Sequence, residues 1–415
     1  MRWTVPLEAH WVALDDPLVE PLLADLVREY TGRYGPGAAR EMDRYPAAEF
    51  AAPGGALVVL TEGGRTVAGG AIRRYDAVTA EVKRVWADPA LRRRGLARRV
   101  MRELEGAAAR LGYERIHLTT GPRQPEARGL YLATGYTPMF DVDADPLTVG
   151  PLPFEKQLSG AAPSPAEQAW RRWRYDRLRY ARAPRGPLAL TGTHLVHGEG
   201  PLPGVPGLWA PIEGGVRLKA VPADGIALDG VPVGGSVDLP AGTGSLAAGE
   251  GRPLAVLVLD GTPAVRTYEG FSPARLAFDG IAAFPYSPAW TRAASYRPYR
   301  AVTPETVDVA GGGRRELPLA GEATVELPGG PHVLKVTAED GALRAVFGDD
   351  AGPRFRFLDL PAPDAAGRTV ADFNRAFLPP CAFSRHVACP LPPAGNVLPL
   401  AIPAGERAVR RARRP

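Results

Sequence analysis

The chain has little cysteine, no long apolar run and almost no excess of one charge, and each shortage removes a class of protein. Two cysteines in 415 residues, Cys381 and Cys389, are too few for a disulfide framework and fit a reducing compartment. No run approaches the roughly 20 apolar residues that a membrane span needs, so no membrane partner is expected. The opening residues, Met1 to His10, lack the basic-then-apolar plan of a secretory signal, which makes a cytoplasmic location the expectation. The net charge of +5 is not spread over a binding face: through residue 157 the chain carries 21 Lys and Arg against 21 Asp and Glu. The excess sits in Arg171, Arg172, Arg174, Arg177, Arg179, Arg182 and Arg185, facing only Asp176, and in the tail Arg407, Arg410, Arg411, Arg413 and Arg414. Such runs usually form solvated helix faces or frayed ends, and the interleaved Trp170, Trp173, Tyr175 and Tyr180 suit packing of a helix on its neighbour. Nucleic acid is therefore not an expected partner.

A chain of this length exceeds what one core usually supports, and two domains are expected. The small, Pro-containing stretch SGAAPSPAE places a linker at 158–166, between a first domain at 1–157 and a second at 167–410 that opens with the Arg-rich helix; residues 411–415 form a basic tail. Within the first domain, Leu18, Leu22, Leu23, Leu26 and Val27 have helical spacing over 17–31. Residues 57–60 and 66–74 around Glu62-Gly63-Gly64 read as a hairpin, and 80–87 as a third strand. Leu96, Val100, Met101, Leu104, Ala108 and Leu111 make one helical stripe that Gly112 ends. A strand at 115–119, a short helix from Pro125 to Leu132 and a last strand at 136–139 complete the order. From 186 to 360, short apolar runs separated by Gly, Pro and Asp every eight to twelve residues predict a mainly-β sandwich or barrel.

Arg92-Arg93-Arg94-Gly95-Leu96-Ala97 falls where a strand gives way to an amphipathic helix. A glycine there lets backbone approach a ligand closely, and free N–H groups at a helix start favour a diphosphate. This stretch resembles the Arg/Gln-x-x-Gly-x-Gly/Ala motif of the GCN5-related N-acetyltransferase (GNAT) superfamily. The run Leu130-Tyr131-Leu132-Ala133-Thr134-Gly135-Tyr136 resembles that superfamily's later motif, and Thr120-Gly121-Pro122-Arg123-Gln124-Pro125-Glu126-Ala127 is similar to one bacterial subfamily. The resemblance covers 1–157 and implies an α+β GNAT fold, a mixed central sheet flanked by helices.

It also implies an acyltransferase that moves acetyl from acetyl-CoA, its co-substrate, to a primary amine by direct attack, without a covalent intermediate. The acceptor would be a small molecule or a protein, no metal is needed, and no oligomeric state is implied. Arg92, Arg93, Arg94, Gly95, Leu96 and Ala97 would hold the diphosphate. The backbone of Val85, Trp86 and Ala87 would pair with pantetheine and polarise the thioester. An amine of pKa about 10.4 must lose a proton before it attacks. The resemblance gives that task to Glu81, eleven residues before Arg92, with Glu41, Asp43 and Glu49 in reserve, and protonation of the leaving thiolate to Tyr131. Arg123 and Gln124 precede the last helix as CoA, acceptor or plain loop residues, and His117, alternating with apolar neighbours, reads as structural. The alternative is a CoA-binding sensor or scaffold whose β-rich domain does the recognising.

In the second domain, residues 372–393 (DFNRAFLPPCAFSRHVACPLPP), with Phe284-Pro285-Tyr286-Ser287-Pro288 and 401–406, resemble a bacterial family known only as domain of unknown function 1684. That resemblance spans about 166–410 and implies no activity; residues 347–356 depart from the longer Thr-Tyr-Gly loop usual there. Asn374 and Arg375 could line a cleft or stitch the proline-rich loop to the barrel. The eight-residue offset of Cys381 and Cys389, with His386 between and His332 elsewhere, lacks the tight pairs of a zinc site and reads as free thiols or a facultative disulfide.

Overall fold

Residues 57–60 alternate their side chains between two apolar surroundings, and the central sheet of the first part follows from that. In the computed structural model of the protein, which describes residues 6–160, 162–249, 251–339 and 341–411, Leu57 and Val59 join a cluster with Leu22, Leu26, Tyr45, Phe50 and Trp86. Val58 and Leu60 face the other way, into Ile72, Val82, Val100, Leu104, Ile116 and Phe154. A strand buried on both faces needs a helical layer on each side. The chain supplies them in the order β1 (Leu7–Trp11), α1 (Glu20–Tyr34), β2 (Ala56–Glu62), β3 (Arg65–Arg74), β4 (Thr79–Ala87), α2 (Leu96–Arg110), β5 (Arg115–Thr120) and α3 (Pro125–Ala133). There follow β6 (Thr137–Pro138), the one-turn α4 (Pro146–Val149), β7 (Leu152–Gln157) and α5 (Pro165–Arg182). The seven strands lie in the order β1-β2-β3-β4-β5-β7-β6. Only β4 and β5 run parallel, with α2 as their crossover. Helix α2 turns Leu96, Val100, Met101, Leu104, Ala107 and Ala108 to the sheet at the spacing of a helical stripe. It comes so close to β3 that a Cβ at Gly70 would stand 2.9 Å from Val100 Cγ1.

The mixed sheet and its helices match the expected fold class. Two strands were not foreseen. The expected final strand at 136–139 is only the two-residue β6, while the full partner of β5 is β7, disguised by Pro151 and Pro153 around its start. β1, half of it polar, pairs along β2 from Leu7↔Glu62 to Trp11↔Val58.

The chain forms two compact units that meet in sequence between Tyr175 and Asp176, inside α5. In the second unit, a four-stranded sheet (Gly235–Pro240, Gly215–Ala220, Val205–Ile212, Gly200–Leu202) and a six-stranded sheet that includes Arg252–Leu259 and Thr262–Tyr268 share a core around Trp209, Leu218, Leu239, Leu254 and Val265. A second six-stranded sheet, Arg356–Leu360, Ala342–Phe347, Gly330–Glu339, Arg314–Leu327, Thr291–Asp308 and Arg368–Asp372, is a half-barrel around Leu334, Phe347, Leu358, Phe373 and Ile402. Thr291–Asp308 and Arg314–Leu327 are longer than the expected short strands. Pro298, Pro304 and Pro318 read as breakers, yet they lie within the paired strands, which shift register between Pro298 and Thr303. Of the basic tail, Arg411 ends the strand Glu406–Arg411, whereas residues 412–415, Arg413 and Arg414 among them, lie outside the described residues.

Candidate active site

Beyond Val82 the sheet opens. β4 and β5 are paired from Thr79↔Arg115 to Val82↔Leu118 and no further, although β4 continues to Ala87. The cause lies on the other edge of β4, where Arg84 and Val85 together face the single residue Gly70 of β3. Such a bulge bends its strand and increases the local twist. Arg84 takes the left-handed conformation, φ 59°, to make it. Trp86 and Ala87 follow the bulge; Gly69↔Trp86 and Ala68↔Ala87 keep them on β3, while among the described residues no strand pairs with the β5 side of 85–87. Val85 packs toward α2, and the Trp86 indole N–H donates to Asp25 at 2.9 Å.

The chain then turns through Arg93 (φ 64°) and Gly95 (φ 76°) into α2. The first intrahelical bond runs from the Arg99 N–H to the Gly95 carbonyl, leaving the N–H groups of Leu96, Ala97 and Arg98 directed out of the helix start. Among the described residues, nothing beyond its chain neighbours lies within 4 Å of where a Gly95 Cβ would stand, so the space above this turn is open. Arg92, Arg93 and Arg94 are exposed around it, with Arg94 paired to Glu62 at 2.6 and 3.0 Å. Exposed donors at a positive helix end form a seat for an anion.

Glu81 sits earlier on β4, on the face covered by α1, and is 5% exposed. Its carboxylate accepts from Arg73 Nε at 2.8 Å and pairs with Lys83 Nζ at 3.0 Å. Burial alone would raise its pKa, but Lys83, Arg73 and His117 outweigh that and hold it well below the usual carboxylate range. Lys83 is pushed the other way: Glu81, Tyr45 and Glu41 more than offset its burial. The reserve carboxylates join the same cluster, Glu49 on Arg73 at 2.7 Å and Glu41 near Lys83 at 3.6 Å and Arg44 at 3.3 Å, with the Arg73 guanidinium 3.8 Å above the Tyr45 ring. Asp43 is exposed. Arg73, Lys83 and Tyr45 had not been singled out in the sequence. The available signal was the pair Glu81 and Lys83, two apart on one strand and so on one face.

Tyr131 lies on α3, 6% exposed, with its ring 5.7 Å from that of Tyr136 and 5.6 Å from that of Phe154. Burial, with a further push from Tyr30, raises its phenol well above the usual value, so it is protonated at neutral pH. Burial raises the Tyr30 phenol of α1, and Lys83 partly offsets that. Arg123 and Gln124 are tied to α1: the Arg123 N–H donates to Tyr34 Oη at 3.1 Å, and Gln124 Nε2 to Glu29 at 3.2 Å.

His117 pairs with Glu81 in register and is buried, which depresses its pKa. Tyr175 stacks on it at 5.1 Å and joins its Nδ1, at 2.7 Å, to Glu155, at 2.8 Å. Tyr175→Phe keeps the stack, strips the buried His117 Nδ1 of this partner and leaves the half-buried Glu155 with Arg171. A loss of about 1–3 kcal/mol in urea unfolding is expected, and an unchanged midpoint would show that water fills the gap. Of the Arg-rich run, Arg171 is ion-paired with Glu155 at 3.0 Å, Arg177 with Glu406 at 2.9 Å and Arg179 with Asp176 at 3.0 Å.

In the second unit, the polar residues of the distinctive segments bind backbone. Asn374, 1% exposed, accepts from the Ser287 N–H and donates to the Ser287 carbonyl, both at 2.9 Å, which is the stitching role rather than a cleft. Asn396 holds Lys335 and Val346, and Glu406 accepts from the Leu378 N–H at 2.7 Å. In the divergent stretch 347–356, Asp349 pairs with the buried Arg356 at 2.9 Å. Cys381 and Cys389 are free thiols, with the Cys381 N–H 3.3 Å from Cys389 Sγ. Among the described residues no three His, Cys, Asp or Glu gather as a metal site, and no helix is long and apolar enough to cross a membrane.

No curated protein matches the chain. Among solved structures it is similar to a putative acyl-CoA N-acyltransferase from Klebsiella pneumoniae, at 23% identity over 37% of this chain and 99% of that one, with a TM-score of 0.30. It is also similar to the PaiA N-acetyltransferase of Thermoplasma acidophilum in complex with coenzyme A (14% identity, 37% and 99% coverage, TM-score 0.30). A third is YncA, a putative acetyltransferase of Salmonella typhimurium, with its cofactor acetyl-CoA (17%, 38% and 98%, TM-score 0.29). Two segments of the chain match known families: residues 20–136 the acetyltransferase (GNAT) family, and residues 276–407 a family of proteins of unknown function, DUF1684.

Proposed function

We propose that the first unit transfers acetyl from acetyl-CoA to a primary amine by direct attack. The observation that carries this reading is the junction of an opened strand with an anion-binding helix start: β4 parts from β5 after Val82, and α2 begins under Gly95, inside the segment that matches the acetyltransferase family. The turn at 92–97 would take the diphosphate. Pantetheine would then lie along the unpaired edge of residues 85–87, whose N–H groups can meet the developing oxyanion. One such preorganised donor is typically worth about 3 kcal/mol.

The amine nitrogen bonds to the acetyl carbon, the C–S bond breaks, and the departing thiolate needs a proton. Tyr131, kept protonated by burial, is the proposed donor, and the proton that the attacking nitrogen sheds as the amide forms restores it. Glu81 is the proposed acceptor of the ammonium's proton. Because Arg73 and Lys83 hold it ionised, it passes that proton on to bulk water rather than storing it. Thiol release from acetyl-CoA with a panel of amines tests the reading; CoA binding with no acetylation of any amine would favour a sensor or scaffold.

Tyr131→Phe keeps the ring contacts with Tyr136 and Phe154 and removes only the hydroxyl. Turnover is expected to fall about 100-fold with little change in CoA affinity. An unaltered rate would hand the thiolate's proton to water.

A further inference from the structure

Arg84 is the cation that the cluster leaves over. It is 7% exposed, its Nη2 donates to the Met42 carbonyl at 2.7 Å, and its guanidinium lies 4.1 Å above the Phe50 ring. Its Nη1 is buried without a hydrogen-bond partner, and among the described residues no carboxylate forms an ion pair with it. Nearby, Glu41, Glu49 and Glu81 are already engaged by Arg44, Arg73 and Lys83. Burial depresses the pKa of Arg84, Glu41 and Asp43 offset that only in part, and neither bonds to it. A buried guanidinium with an open N–H is costly, and an anion is the group that relieves it.

Its place says whose anion. Met42 and Phe50 belong to the segment that covers the α1 face of the sheet, whereas the exposed N–H groups at Gly95 open at the start of α2. Arg84 also forms the bulge itself, immediately before residues 85–87. At about 3.3 Å per strand residue, its backbone stands within roughly 10 Å of wherever those residues hold a thioester. The strained φ of 59° fixes this non-glycine residue at the point where β4 turns away from β5.

Resting on the acetyl-transfer reading above, we infer that Arg84 receives a carboxylate of the acceptor, so that the substrate is an amino acid or a similarly short amine that carries a carboxylate near its nitrogen. One zwitterion then satisfies both halves of the site, its ammonium beside Glu81 and its carboxylate on Arg84.

The test follows thiol release from acetyl-CoA by the full-length protein with a set of α-, β- and γ-amino acids, each beside its methyl ester. The ester keeps the amine and removes the anion. For the preferred acid, kcat/KM is expected to exceed that of its ester by about 10- to 100-fold, and Arg84→Gln is expected to bring that ratio close to one. The wild-type ratio decides the matter even where the variant folds poorly. Esters acetylated as well as their acids, or a preference for acids that survives in Arg84→Gln, would overturn the inference and leave acetyl transfer standing. Acetylation of no amine by a protein that binds CoA would overturn the transferase reading, and this inference with it.

Discussion

Glu81→Gln is expected to cost the protein about 3–5 kcal/mol and, per folded molecule, to lower kcat/KM at neutral pH by about 100-fold or more. The stability loss follows from what the substitution leaves behind. Arg73, with its side chain 4% exposed, and Lys83, at 17%, both lie against the Glu81 carboxylate. Removing that charge leaves Arg73 with Glu49 alone and Lys83 with only the more distant Glu41, at 3.6 Å, in a place they were desolvated to share. The effect has a pH signature. Glu81 has a folded pKa depressed below its ordinary 4.5, so its stabilisation is fully present above the unfolded value and fades as pH falls through the folded one. The difference between wild type and variant in urea should therefore be large at pH 7 and shrink below about pH 4. Lys83, whose pKa is raised, contributes below its ordinary 10.5 and loses that contribution only in more alkaline solution. A difference that does not vary with pH would mean that packing, not charge, holds Glu81 in place.

Gly95→Val is expected to weaken CoA binding at least 100-fold while leaving the fold largely intact. The residue stands at φ 76°, where a β-branched side chain is strained by about 1–2 kcal/mol. No protein atom would clash with the new Cβ, so the remaining effect is on the ligand: the valine methyls would occupy the open space in front of the helix start. Helix α2 itself should survive, because its buried stripe begins at Leu96. Isothermal titration of CoA, with far-UV circular dichroism as a control, separates the two effects. Unchanged affinity would mean that the diphosphate sits elsewhere.

How much of this was legible depended on how local each signal was. The hairpin around Gly63 and the stripe of α2 are written in neighbouring residues, and both lie within a residue or two of their expected bounds. β7 was hidden because its partner β5 lies more than 30 residues earlier and prolines frame its start. In the half-barrel, prolines in Thr291–Asp308 suggested strand ends where the structure has one strand that shifts register after Pro298 and pairs again from Thr303. The site divides in the same way. The motif points to Gly95 and its arginines, and the family resemblance to Glu81. The cage around Glu81 could not be found that way, because Arg73 meets it only through the β3–β4 register, and one inserted residue in that register would turn Arg73 to the opposite face. Arg84 is the clearest instance. As sequence it is one more basic residue in Lys83-Arg84-Val85; only the bulge opposite Gly70 makes it a buried cation without an ion pair among the described residues.

Acetyl transfer as proposed requires CoA in the opening between β4 and β5, with its diphosphate over Gly95. Amide hydrogen exchange in the presence and absence of CoA reads this directly. Slower exchange at residues 85–87 and 92–98 on adding CoA, with little change in the second unit, is the result the account predicts. Exchange at those residues that CoA leaves untouched would contradict it.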